Sequence, residues 1–212
     1  MNTSTYNNIR ISENDNVYIK IKSGWFQKPI SEEFKTEKYY IILNYFLLEA
    51  APEGLSYKYK ELKEKGWPND VFRSSILFNH MFSNFLYKKS IFIVEKRDDF
   101  KQSLNKINFD KSFHNIREEG IAVQKKSNMN RINSVLYHIR NSFAHGRFQI
   151  YNFNNEIFYC LESGIIKKKA NVFCLKSRMI IKEKTFLSWI ELFNNPIKDD
   201  DEKVKKRKHK KK

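Results

Sequence analysis

The sequence has little of what marks the specialised protein classes. Six Gly and four Pro in 212 residues are too few for a collagen, a mucin-like stalk or a largely disordered chain. Two cysteines, Cys160 and Cys174, cannot make a disulfide framework or, by themselves, a zinc site. Both fall in strand-like runs and read as core residues of a reduced, cytoplasmic protein. No apolar run approaches the ~18 residues of a membrane helix. The longest, from Tyr39 to Leu48, is short and broken by Asn44. The start, Met1-Asn2-Thr3-Ser4-Thr5, lacks the basic and apolar regions of a secretion signal. No internal repeat is evident. No His pair has acidic residues around it at ligand spacing, so neither a metal nor another cofactor is expected.

What is abundant is aromatic and basic. The chain holds 18 Phe and 11 Tyr within a 41% hydrophobic fraction, enough to build one core. Forty Lys and Arg against 24 Asp and Glu leave a net charge of +16. Such an excess points to an acidic polymer, nucleic acid or an anionic membrane surface. Residues 198–212, KDDDEKVKKRKHKKK, hold nine Lys/Arg and four Asp/Glu, a net +5, and leave +11 for the body. With Val204 as its one apolar residue, this tail cannot offset its ordering entropy and reads as disordered. Its function is either a non-specific phosphate-binding arm or none beyond solvation. The organisation expected is a single domain over 1–197, irregular over 1–30 except for a short strand, followed by the tail.

Patterning places the elements. The Lys/Ile alternation of 17–22 signals a short strand. Ser31 with Glu32 and Glu33 starts a helix carried to about Ala50 and stopped by Pro52-Glu53-Gly54. A charged helix spans Tyr57–Lys65, and an amphipathic one Val71–Lys88. Ile91–Val94 fits a buried strand or another helix start. Residues 95–127 are weakly patterned, with a helix near Phe100–Ile107 and a long connection. Asn128–His145 is the clearest amphipathic helix, with Met129, Ile132, Val135, Leu136, Ile139 and Phe143 on one stripe and Gly146 where helices commonly end. Phe148–Tyr151 and Ile157–Leu161 flank an Asn-rich turn as a hairpin. Two more strand-like runs, Asn171–Leu175 and Met179–Ile181, precede a helix from Thr185 to about Phe193. The class expected is mainly α, a helical bundle with a small C-terminal β-hairpin or sheet insertion and a closing helix.

One segment carries chemistry: Tyr137-His138-Ile139-Arg140-Asn141-Ser142-Phe143-Ala144-His145-Gly146-Arg147-Phe148. Positions four apart on a helix differ by about 40°, so Asn141 and His145 share a face. The stem of Arg140 can swing its guanidinium towards them. Guanidinium suits bidentate phosphate recognition, and imidazole suits proton transfer near neutral pH. A helix C-terminus favours the imidazolium. Together they form a minimal kit for RNA cleavage without a metal: the base takes the 2′-OH proton and the cation stabilises the phosphorane-like transition state. Arg131, His138 and His145 are seven apart and share a face, so His138 and Arg131 are candidate RNA contacts, or rim residues. Arg147 just past the motif is another, or a solvated strand residue. His80 and His114 read as structural. Most aromatics read as core, with Tyr57, Tyr59 and Trp67 the best candidates for base stacking.

The string Arg140-Asn141-Ser142-Phe143-Ala144-His145 resembles the R-x-x-x-x-H motif of the HEPN superfamily (higher eukaryotes and prokaryotes nucleotide-binding), in the branch of bacterial toxins and phage-defence proteins. The strands and closing helix after the His look similar too. The resemblance implies a dimerising helical bundle with a composite active site. It further implies a metal-independent endoribonuclease working by 2′-OH transesterification, as a toxin or antiphage (abortive-infection) effector. His145 would be the general acid/base, Arg140 the phosphate ligand and Asn141 an orienting residue. RNA, a second copy of the chain and an inhibitory partner or antitoxin are the partners implied, with no membrane. The alternatives are a non-catalytic nucleic-acid-binding protein or a dimeric scaffold of the same fold.

Overall fold

A computed structural model describes residues 10–11, 17–20, 30–50, 64–67, 75–83, 88–110, 118–167, 169 and 172–196. The tail 198–212, His114, Tyr57, Tyr59 and most of the helix expected over 57–65 lie outside the described residues.

The chain's longest element pair sets the architecture. Strands β6 (Glu156–Lys167) and β7 (Val172–Lys182) are antiparallel neighbours along nearly their whole length. β5 (Phe148–Phe153) covers the other edge of β6. The turn between β5 and β6 is Asn154-Asn155, both at positive φ (51° and 61°). That is the two-residue hairpin geometry asparagine tolerates best after glycine. The second edge of β7 is shared. Its first half pairs with β2 (Val17–Lys20), which pairs with β1 (Arg10–Ile11). Its second half pairs with β4 (Gly120–Gln124). β3 (Ile91–Val94) lies parallel to β4, and the connection between them carries helix α3 (Arg97–Lys106). The result, among the described residues, is one seven-stranded mixed sheet.

Strand alternation gives the sheet two apolar faces. Ile121, Val123, Ile150, Tyr159, Leu161, Met179 and Ile181 point to one side. There they meet α1 (Glu37–Asn44), α2 (Ser75–Phe82), α4 (Arg131–Ala144) and α5 (Glu183–Asn194). Phe46, Phe143, Phe186 and Trp189 form the aromatic centre of this side, with Phe46 and Phe186 ring centroids 4.8 Å apart. Ala122, Phe158, Cys160, Phe173, Leu175 and Ile180 point to the other side. Phe100 and Leu104 of α3, with Phe109, cover them. The order is helices, sheet, helix.

This corrects the expected class. A helical bundle with a small β insertion is not what the chain forms; it is a mixed α/β fold organised on a large sheet. Two strands account for much of the difference. β4 sits inside the segment expected to be a long connection. β7 runs unbroken through Lys176-Ser177-Arg178, where the sequence suggests a gap between two strands. Arg178 is fully buried, and its guanidinium reaches Glu162 Oε1 (2.7 Å) and the Phe109 carbonyl (2.5 Å). Arg147 Nη2 takes the other oxygen, Glu162 Oε2, at 2.6 Å. A buried charge is tolerated only when paired and hydrogen-bonded in this way.

The helices start and stop for local reasons. Thr36 caps α1 by accepting from Tyr39 N, so the α-helix begins at Glu37. Ser31 opens a short 3-10 turn, Glu32–Phe34, and makes no side-chain cap. Residues Tyr45–Glu49 continue α1 as a π-helical turn. Asn130 caps α4 by accepting from Asn133 N at 2.8 Å, and Gly146 at φ +61° follows its end. No described helix is long and apolar enough to cross a membrane.

Candidate functional site

α4 lies on the sheet across β6. Its inner face is partly polar. The Ser142 hydroxyl is shared between the carbonyls of His138 (2.8 Å) and Glu162 (2.7 Å), which ties the helix to the strand. One turn earlier, the buried His138 ring is held on both nitrogens. Nε2 lies 3.2 Å from the Gln124 carbonyl, and Nδ1 lies 3.0 Å from Ser163 Oγ. A carbonyl only accepts, so Nε2 carries the hydrogen. Burial, with Lys176 and Lys126 nearby, pushes the His138 pKa down to about 4, against the pull of the Gln124 bond. The ring is therefore neutral at pH 7, Nδ1 is a lone pair, and Ser163 donates to it.

Beside this pair the sheet is irregular. Ser163 faces Ser177, but Gly164 faces Leu175, so Lys176 is the extra residue of a β-bulge in β7. A bulge re-aims a side chain, and here Lys176 Nζ turns to Gln124 Oε1 at 2.8 Å. Gly164 is required at its position. A Cβ there would stand 2.1 Å from the Cys174 carbonyl oxygen and 2.9 Å from the Phe173 ring. Bulge, helix and the end of β4 together enclose a pocket of roughly 220 Å³. His138 and Ser163 are at its edge with Tyr137 and Asn141 of α4. Lys125 and Lys126, just past β4, and Lys176 supply three cations. Lys125 pairs with Glu95 at 2.5 Å. Lys126 Nζ sits 4.5 Å from the Tyr137 ring centroid. Neither Lys126 nor Lys176 has a carboxylate partner among the described residues.

The residues expected from sequence are distributed as follows. His138 and Asn141 line the pocket; Arg140 and His145 do not. Arg140 is half-buried, with Nη1 3.5 Å from Asn141 Oδ1 and Nε buried with no hydrogen-bond partner among the described residues. His145 is exposed at the C-cap of α4. Arg147 is engaged inward, paired with Glu162 and lying 3.7 Å from the Phe173 ring centroid. Arg131 is exposed at the start of α4, 5.9 Å from the centre of the Phe78 ring. Trp67 is buried and donates to the Phe193 carbonyl at 2.7 Å, which fixes it in the core. Both cysteines are buried, and burial pushes the Cys160 thiol far up. The lysines of the pocket were not singled out by sequence, because they come from segments some 50 residues apart. Among the described residues no group of three or more His, Cys, Asp or Glu side chains is placed to hold a metal ion.

No protein-family model, no curated protein and no solved structure matches the chain.

The HEPN resemblance is corrected on this geometry. The six-residue motif is present, but its helix rests on a seven-stranded sheet rather than in a helical bundle. Arg140 turns to its neighbour, and the concave site next to α4 is built without Arg140 or His145. The endoribonuclease assignment needed Arg140 and His145 together in the composite site of a dimerising helical bundle. It falls with the bundle, and so do the hydrolase and toxin or antiphage roles attached to it.

Proposed function

We propose that the chain is a non-catalytic binding protein for single-stranded nucleic acid, which seats a backbone phosphate in the lysine pocket. The observation that carries this reading is that Lys125, Lys126 and Lys176 line one concavity, where Lys125 pairs with Glu95 and neither Lys126 nor Lys176 has a carboxylate partner among the described residues. The two cations without a carboxylate, Lys126 and Lys176, would attract an anion into the hollow. The neutral His138 adds no charge of its own, and its hydrogen bonds hold the wall rigid.

A polymer suits the whole chain better than a small anion. The body carries +11 beyond the basic tail, far more than one phosphate needs. The pocket, lined by Tyr137 and roughly 220 Å³ in volume, is far too small for a duplex, which favours a single strand as the occupant. Asn141 adds an amide donor, since its Oδ1 already faces Arg140. The test is fluorescence polarisation of a labelled single-stranded oligonucleotide titrated with the full chain and with a chain lacking 198–212. Binding that survives tail deletion and weakens with salt supports the reading. Affinity that disappears with the tail contradicts it.

A further inference from the structure

We infer that the pocket is built for a ribonucleotide: Ser163 Oγ accepts a hydrogen bond from the sugar 2′-hydroxyl while Lys126 and Lys176 hold the adjacent phosphate. The inference rests on the nucleic-acid reading above and names which nucleic acid it is.

The Gln124 carbonyl fixes the hydrogen of His138 on Nε2, 3.2 Å away. Nδ1 then needs a donor, and Ser163 Oγ at 3.0 Å is the group beside it. A hydroxyl has one hydrogen and two acceptor lone pairs. With that hydrogen committed to His138, Ser163 faces the pocket as an acceptor only. A serine at a phosphate site ordinarily donates; this one cannot without losing the His138 bond. The pocket therefore presents cations and an acceptor side by side. Phosphate answers the cations. The acceptor calls for a neutral donor close to a phosphate. The 2′-hydroxyl of RNA is such a donor, and DNA has none.

The bulge keeps this acceptor within reach. Ser163 and Gly164 stand opposite the extra residue Lys176, so one irregularity places both the acceptor and a cation at the same hollow. Gly164 cannot be replaced without driving a Cβ into the Cys174 carbonyl, which ties Ser163 to this position.

The test uses the full chain and three oligouridines of one length: ribo, 2′-fluoro-ribo and deoxy. The fluoro sugar keeps a ribose-like shape but has no donor. One neutral hydrogen bond predicts RNA tighter than both others by about three- to ten-fold. Ser163→Ala should bring the RNA-to-DNA ratio close to one. Equal affinity for all three overturns the inference and leaves the nucleic-acid reading standing. Ribo and 2′-fluoro equal, both tighter than deoxy, also overturns it, because shape and not the donor would then decide. Binding to none of the three overturns the nucleic-acid reading itself. The wild-type series needs no variant to fold.

Discussion

His138 Nδ1 lies 3.0 Å from Ser163 Oγ, and this contact joins the central helix to a bulged stretch of the sheet. The other ring nitrogen reaches Gln124, on β4. A single imidazole therefore bridges α4, β4 and β6 at the edge of the candidate pocket. Its neutrality is a structural requirement. Protonation would put a second hydrogen on a ring whose Nδ1 already receives one from Ser163, beside two lysines.

Acid should expose that requirement. The His138 pKa is about 4 when folded and 6.5 ordinarily. A depressed histidine pKa contributes stability that is fully present above about pH 6.5. That stability is lost as pH falls from there towards 4, because the unfolded chain takes up the proton first. The full span corresponds to about 3 kcal/mol. Glu119, whose carboxyl burial pushes up, works in the opposite sense. The readout is therefore the difference between wild type and His138→Gln in urea melts from pH 7 to pH 4. Wild type should lose stability more steeply; parallel curves would remove the buried neutral imidazole.

Gly164→Ala should be costly despite its size. The added methyl meets a backbone carbonyl at 2.1 Å, which cannot swing aside like a side chain tip. A loss of about 3 kcal/mol in chemical denaturation is expected, at the upper end of overpacking costs. Gly146→Ala has no atom within 4 Å of its Cβ. It should cost only the ~1 kcal/mol of a positive-φ alanine.

Glu162 should matter more than any surface acid. It bridges Arg178 and Arg147 with its side chain fully buried. Glu162→Ala leaves the buried Arg178 charge without its carboxylate and should cost about 3–5 kcal/mol. Glu32→Ala, at an exposed pair with Lys35, should cost less than ~1 kcal/mol. Equal losses at the two sites would contradict a paired charge in the core.

Much of the fold was legible where the pattern is local. The α4 stripe from Ile132 to Phe143 and the hairpin around Asn154 follow from spacing and turn chemistry. The sheet was not legible, because its key strands break the rules of apolar patterning. β4 is five residues between charged segments, and its alternation is too brief to stand out. β7 contains Arg178, which reads as a strand end until its partner Glu162, 16 residues earlier, is seen in the neighbouring strand. The pocket was half legible. His138 and Asn141 lie in the segment the sequence singles out. Lys126 and Lys176 join them only through pairing of β4 with β7, a contact no linear spacing reports. The same segment misled through Arg140 and His145, whose spacing matches a motif while the surrounding fold does not.

The most direct measurement is the salt dependence of single-stranded RNA binding by the chain lacking 198–212, with and without Lys126→Ala and Lys176→Ala together. Each lysine that neutralises a phosphate adds about 0.7 to the slope of log affinity against log salt on a single strand. A phosphate seated in the pocket predicts a slope shallower by about 1.4 in the double variant, with weaker binding at every salt concentration. An unchanged slope and affinity would contradict the pocket as the nucleic-acid site.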